Sequence, residues 1–138
     1  MTDAIDRVLT LLGGAGLHGC RAFPADPLPA ITAPLVVVAQ RELVCTPCAV
    51  GDCIGADGAG EKTGVLAKYT LELDVYTPYQ SGGGCCADTV QAVVECLLPG
   101  VTGYRTQELR AGAAAYDRNA DCFHAAVRLT LTCWLCWR

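Results

Sequence analysis

Positive charge, long apolar runs and histidine are what this sequence has least of. Ten Lys and Arg stand against fourteen Asp and Glu, a net charge of −4. A broad basic face for nucleic acid is therefore not expected. The longest apolar runs, such as Pro34 to Ala39, fall far short of the roughly 20 residues that span a bilayer. The opening stretch MTDAIDRVLTLLGG carries Asp3 and Asp6 where a secretory leader would carry positive charge. The expectation is a soluble protein made in the cytoplasm, with no membrane partner. Catalytic signatures are missing as well: there is no Ser-centred elbow, paired-carboxylate motif or HExxH helix. With only His18 and His124 present, a nucleophile pair would have to join Cys20 or Cys122 to one of them. His124 falls on the polar face of a strand pattern, where a solvated histidine is the common case. No enzyme is expected.

What is present is a folding chain. Hydrophobic residues make up 52% and charged residues 17% of 138 positions, which suits one domain over residues 1–138 with a real core. The segment 3–12 places Ile5, Val8, Leu9 and Leu12 at helical spacing, with Thr2 or Asp3 as cap and Gly13-Gly14 as stop. A short strand is expected around Gly19–Phe23, before a proline-broken connection to Pro34. LVVVAQRELV, Leu35 to Val44, reads as a central strand. VLAKYTLELDVYT, Val65 to Thr77, alternates: Val65, Ala67, Tyr69, Leu71, Leu73 and Val75 share one face, Lys68, Thr70, Glu72 and Asp74 the other. A second helix from about Cys85 to Leu98 carries the stripe Ala87, Val90, Val93, Val94 and Leu97, ended by Pro99-Gly100. Tyr104–Arg110 reads as a strand, AGAAAYDRNAD as a link or edge strand with a turn at Asp117–Asp121, and Cys122 onward as a final alternating strand. The fold class is α+β, in the order α-β-β-β-α-β-β. It comprises a single mainly antiparallel sheet, two helices packed on one face, and a long β-hairpin arm at 45–64.

Ten cysteines without an export signal leave metal ligation, redox chemistry or buried filler. Cys45-x-x-Cys48 with Cys53 nearby is the zinc candidate, lacking a fourth ligand. Cys133 and Cys136, three apart on a strand, face opposite sides and cannot share a metal unless the strand bends. Cys85-Cys86 stands near a helix N-terminus, where a thiol pKa can fall. Filler is the favoured reading, and no cofactor is expected. Tyr76, Tyr79 and Tyr104 are candidates for a contact surface.

The stretch GADGAGEKTG, Gly55 to Gly64, approaches the phosphate loop G-x-x-x-x-G-K-[ST], with Glu61 inserted before Lys62 and Thr63. A phosphate loop must open a helix whose N-terminus holds the anion. An alternating strand follows here, so nucleotide binding is not expected. The stretch reads as the glycine-rich tip of a hairpin, longer than usual hairpin loops.

Two segments together carry a family resemblance. One is LELDVYTP, a glycine-rich turn and an amphipathic helix; the other is GYRTQELRAGAAAYDRNADCFHAAVRLTLTC, with Tyr116-Asp117, Asp121 and Phe123 to Thr132. With the leading helix Asp3–Leu12, they resemble tail terminator and tail completion proteins of long-tailed bacteriophages. The cysteine load and the Cys45–Cys53 loop depart from that pattern. The resemblance implies a virion structural protein at the head-proximal end of the tail. It would form a homo-oligomeric, commonly hexameric ring that stops tube polymerisation, contacting the tail tube protein and the head connector. DNA would pass through its lumen without specific binding. Candidate interface residues are Lys68, Glu72, Asp74 and Arg128 on the wet strand face, with Glu61 and Lys62 on the arm. An acidic lumen is expected from the net charge, and a free monomer or weak mixture that closes into a ring on the tube. The rival from another class is a small zinc-binding or redox module using Cys45, Cys48 and Cys53.

Overall fold

The computed structural model describes residues 4–21, 31–47 and 63–137. Its elements are helix α1 (Ala4–Gly14), strands β1 (Gly19–Arg21), β2 (Leu35–Pro47) and β3 (Thr63–Pro78), and a 3-10 turn at Tyr79–Ser81. Helix α2 (Gly82–Leu97) and strands β4 (Arg105–Ala111), β5 (Ala115–Asp117) and β6 (Cys122–Trp137) follow. The strands form one sheet in the order β1-β2-β3-β6-β4, with β5 also on β6. Only β1 and β2 pair in parallel; the other pairings are antiparallel. This is the expected α+β architecture, with the AGAAAYD stretch divided between a link at 112–114 and the short strand β5 at Ala115–Asp117.

The sheet forms because β3 and β6 carry a period-two apolar pattern that meets the first half of β2, which is apolar and buried at every position from Leu35 to Ala39. Leu73 stands between Val38 and Val127, and Leu71 opposite Leu129, so apolar side chains stack row upon row on one face. Both helices close that face. Ile5, Val8 and Leu12 of α1 and Cys86, Val90, Val93 and Leu97 of α2 share one core cluster with Val36, Val38, Leu71, Leu73, Val75, Val127, Leu129 and Leu131. Burying each such Leu or Val contributes roughly 1.5–3 kcal/mol.

Three local boundaries differ from expectation. Helix α1 does not stop before Gly13-Gly14; those residues are helical. The helix ends at Gly14 and its cap closes at Gly16, whose φ of +79° is left-handed and suits glycine. The Leu17 amide donates to the Leu12 carbonyl at 2.9 Å and the Gly16 amide to Gly13 at 3.1 Å, the paired bonds of a Schellman cap. Helix α2 starts at Gly82, three residues before the expected Cys85. Gly83 packs against Phe123, and a Cβ there would stand 3.4 Å from the ring. Ala87 faces solvent, and Cys86 takes its place in the buried stripe.

The turn at Asp117–Asp121 forms for a stated chemical reason. The Asp117 carboxylate accepts from the amides of Asn119 and Ala120 at 3.0 and 3.3 Å, an Asx turn. Asp121 follows at φ +50°, a region Asp tolerates better than most residues. Its carboxylate accepts from the Tyr116 hydroxyl at 2.7 Å.

Candidate assembly surfaces: the open sheet face and its free edges

The second face of the sheet carries the residues expected on it. Reading across the pairing register, one row is Leu35, Tyr76, His124 and Ala115. The next rows are Val37, Asp74 and Ala126; Ala39, Glu72, Arg128 and Arg110; and Glu42, Thr70, Thr130 and Glu108. The last two are Val44, Lys68, Thr132 and Arg105, then Thr46, Leu66 and Trp134. Lys68, Glu72, Asp74 and Arg128 thus share one face, as the alternation required. Glu61 and Lys62 lie outside the described residues.

A β-bulge between Gln40 and Glu42 inserts Arg41 into β2 and aims its guanidinium at Glu72. Arg128 approaches the other oxygen of Glu72 at 3.9 Å. One carboxylate therefore ties β2, β3 and β6 across the face. At the next level, His124 Nε2 and Asp74 Oδ1 stand 2.9 Å apart, and the Tyr76 ring stacks on the imidazole at 4.8 Å. The hydrogen bond to Asp74 raises the His124 pKa; partial burial opposes it, and the Asp74 charge adds to it. The Tyr76 phenol is pushed up to about 12, by burial first and by Asp74 second. His124 is thus held by a carboxylate and a ring. Cys122 is buried, with its thiol pushed up by desolvation and then by Asp117 and Asp121. That favours the neutral thiol over a nucleophilic thiolate.

Among the described residues this face carries Arg41, Lys68, Arg105, Arg110 and Arg128 against Glu42, Glu72, Asp74 and Glu108. The expected acidic character is not there: the face is charge-balanced, and the acidic excess of the chain lies elsewhere. The two readings of composition differ because net charge says nothing about where charges fall.

The far end of the face changes from charged to apolar. Strand β4 begins only at Arg105, opposite Thr132, so residues 133–137 of β6 have β3 on one side and, among the described residues, no strand on the other. Strand β1 meets β2 only at Val36–Val38, which likewise leaves β2 beyond Val38 with one partner among the described residues. Among those residues the outer ribbon β2-β3-β6 thus has two free edges. Large apolar side chains stand along both: Leu43 (44% exposed) and Val44 (41%) on β2, and Trp134 (54%) on β6. Leu66, Gly103, Arg105, Gln107, Thr132 and Trp134 line a groove of about 660 Å³ beside the β6 edge. This patch was missed in the sequence. Its signal was the length of β6 relative to β4, which only pairing reveals.

The proposed tyrosine surface divides. Tyr104 packs edge-on against Tyr69 at 5.7 Å, with the Arg7 guanidinium 5.9 Å from its ring; it belongs to the packing between α1, β3 and the loop before β4. Tyr79 is exposed and clusters with Tyr116 and Phe123 at 5.3–5.9 Å.

The described cysteines are free thiols. Burial pushes up Cys20, Cys86, Cys96, Cys122 and Cys133. For Cys86, near the start of α2, burial is the largest cause and the direction is upward. Cys96 donates to the Leu11 carbonyl at 3.1 Å and so pins α2 to α1. Cys45 and Cys133 share a row on the helix side, with Ala67 between them. Among the described residues no three His, Cys, Asp or Glu side chains converge as a metal site. Cys48 and Cys53 of the zinc candidate lie outside those residues. So does most of the Gly55–Thr63 stretch, but Thr63 begins strand β3, and a phosphate loop needs a helix there. Among the described residues no helix is long and apolar enough to cross a membrane. No family model matches the chain, and no curated protein matches it.

Proposed function

We propose that the chain is a structural protein of a long-tailed phage-like particle, a tail terminator-like subunit acting by assembly. Copies form a ring, hexameric in the resembled family, on the head-proximal end of the tail tube. The ring stops tube growth and offers a surface to the head connector. The observation that carries this reading is a sheet larger than its helices cover. Among the described residues no helix packs on the second face, which carries paired charges, and an outer ribbon keeps two unpaired edges and exposed Leu43, Val44 and Trp134. Edges of this kind invite pairing with another chain, and a ring needs heterologous contacts that close by rotation. A charge-balanced face also suits a lumen that passes DNA: counterion release requires a run of unopposed cations, and here Glu72 stands between Arg41 and Arg128.

Electron microscopy of particles made without this chain tests the proposal. The expected products are overlong or headless tails, restored to normal by supplying the intact protein. Tails of normal length joined to heads would rule the terminator role out.

A further inference from the structure

We infer that neighbouring copies join by β-strand addition, the free edge of β6 at Cys133–Trp134 of one copy pairing with the free edge of β2 at Leu43–Thr46 of the next. The inference rests on the ring-forming part of the proposed function and not on its phage part. Three observations lead to it. First, among the described residues the two edges are open at the same level of the ribbon. Leu43 shares a row with Tyr69 and Leu131, Cys45 with Ala67 and Cys133, and Thr46 with Leu66 and Trp134. A second copy set beside the first in the plane of the sheet therefore meets it level with level. Second, exposed apolar side chains flank both edges, Leu43 and Val44 on one and Trp134 on the other. Lone free edges are usually blunted by charge or a bulge. The β2 bulge is at Arg41, short of the stretch in question. Third, direction is fixed. Both β2 and β6 run antiparallel to β3, so they run parallel to each other. Rotation about a ring axis along the strands preserves that direction, and β6 of one copy meets β2 of the next as a parallel pair. A two-fold dimer would instead join like edges, β6 to β6 or β2 to β2, in antiparallel pairing. The occupant is thus a second copy related by rotation, not by a two-fold axis.

The chain carries its own reporter. Within one copy Cys45 and Cys133 are two strands apart across Ala67, about 10 Å between Cα atoms at the usual strand spacing, beyond disulfide reach. Across the inferred joint they are adjacent, on the same side of the sheet. The experiment mixes 14N- and 15N-labelled intact chain one to one at high concentration, treats it with a short bismaleimide, and maps linked peptides by mass spectrometry. Native mass spectrometry of the untreated mixture runs alongside. The expected result is Cys45–Cys133 peptides of which up to half carry one label of each kind, the statistical limit for links between copies. Val44→Lys, which puts a charge on an exposed edge position, should lower the hybrid yield about tenfold while the circular dichroism of the fold is unchanged. Hybrid Cys45–Cys45 or Cys133–Cys133 peptides, or Cys45–Cys133 peptides without hybrids, overturn the joint. If native spectra still show a ring, only this joint falls. If they show monomer alone under every condition, the ring reading falls with it.

Discussion

The two faces of the sheet have nearly the same backbone and opposite chemistry. On the helix side, Val38, Leu73 and Val127 form one row across three strands, all of them buried. One residue along, Ala39, Glu72 and Arg128 form the next, where Arg41 and Arg128 pair with the Glu72 carboxylate, itself left partly in solvent. The first face holds the domain together. The second contributes little to holding it, since exposed pairs are typically worth about 0–1 kcal/mol. A face that costs little stability to alter, yet carries ordered charges and an apolar end, is one free to be used for contact.

The sharpest way to break this comparison is to exchange the roles of the faces by mutation. Leu73→Ala, in the centre of the core, should cost about 2–5 kcal/mol in chemical denaturation. Lys68→Ala, on the open face of the same strand, should stay within about 0.5 kcal/mol. Equal losses at the two positions would mean that something covers the open face in the free chain.

Next in size is the cap that sets α1 on the sheet. Gly16→Ala forces a side chain into φ +79° and should destabilise by about 1–2 kcal/mol, lowering the thermal midpoint. Gly13→Ala, inside the helix with nothing within 4 Å of an added Cβ, should be neutral or stabilising by up to about 1 kcal/mol.

A smaller effect separates the one titratable pair of the open face from its neighbours. The His124 pKa is raised in the folded chain, chiefly by Asp74. The sign follows from linkage: the pair's stabilisation is fully present below the ordinary histidine value of about 6.5 and is lost as pH rises through the higher folded value. A stability profile should therefore decline by up to about 1 kcal/mol across that window, and Asp74→Asn should flatten it. Nuclear magnetic resonance titration of the His124 ring should show the same raised value and its fall in the variant. The smallest signal is spectroscopic. The Tyr76 phenol should ionise near pH 12 in an ultraviolet titration, a step advanced to lower pH by Asp74→Asn.

Much of this was legible in the sequence, and unevenly so. The alternation in Val65–Thr77 and Cys122 onward assigned both faces residue by residue, because a strand's period of two admits no other reading once one face is apolar. Lys68, Glu72, Asp74 and Arg128 came together for that reason. The ends of elements were harder. GGAG after α1 offers three glycines as a stop, and only hydrogen bonding selects Gly16. Ala87 and Cys86 are neighbours of similar size, and the helix's rotation, set by contact with β6 and β3, decides which is buried. The balance of charge escaped: in a chain of net charge −4, five of the ten Lys and Arg stand on the open face against four carboxylates. The free edges were invisible for a deeper reason. An edge exists only where a partner strand ends, and the shortfall of β4 against β6 is a fact of pairing rather than of either segment.

The measurement closest to the central claim is native mass spectrometry of the intact chain. It should be recorded over rising concentration and again after incubation with the tail tubes of its own particle. The account predicts one closed oligomer, a hexamer of the 14.4 kDa chain, growing at the expense of monomer and strongest on tubes. Monomer alone, at every concentration and with tubes present, would contradict it.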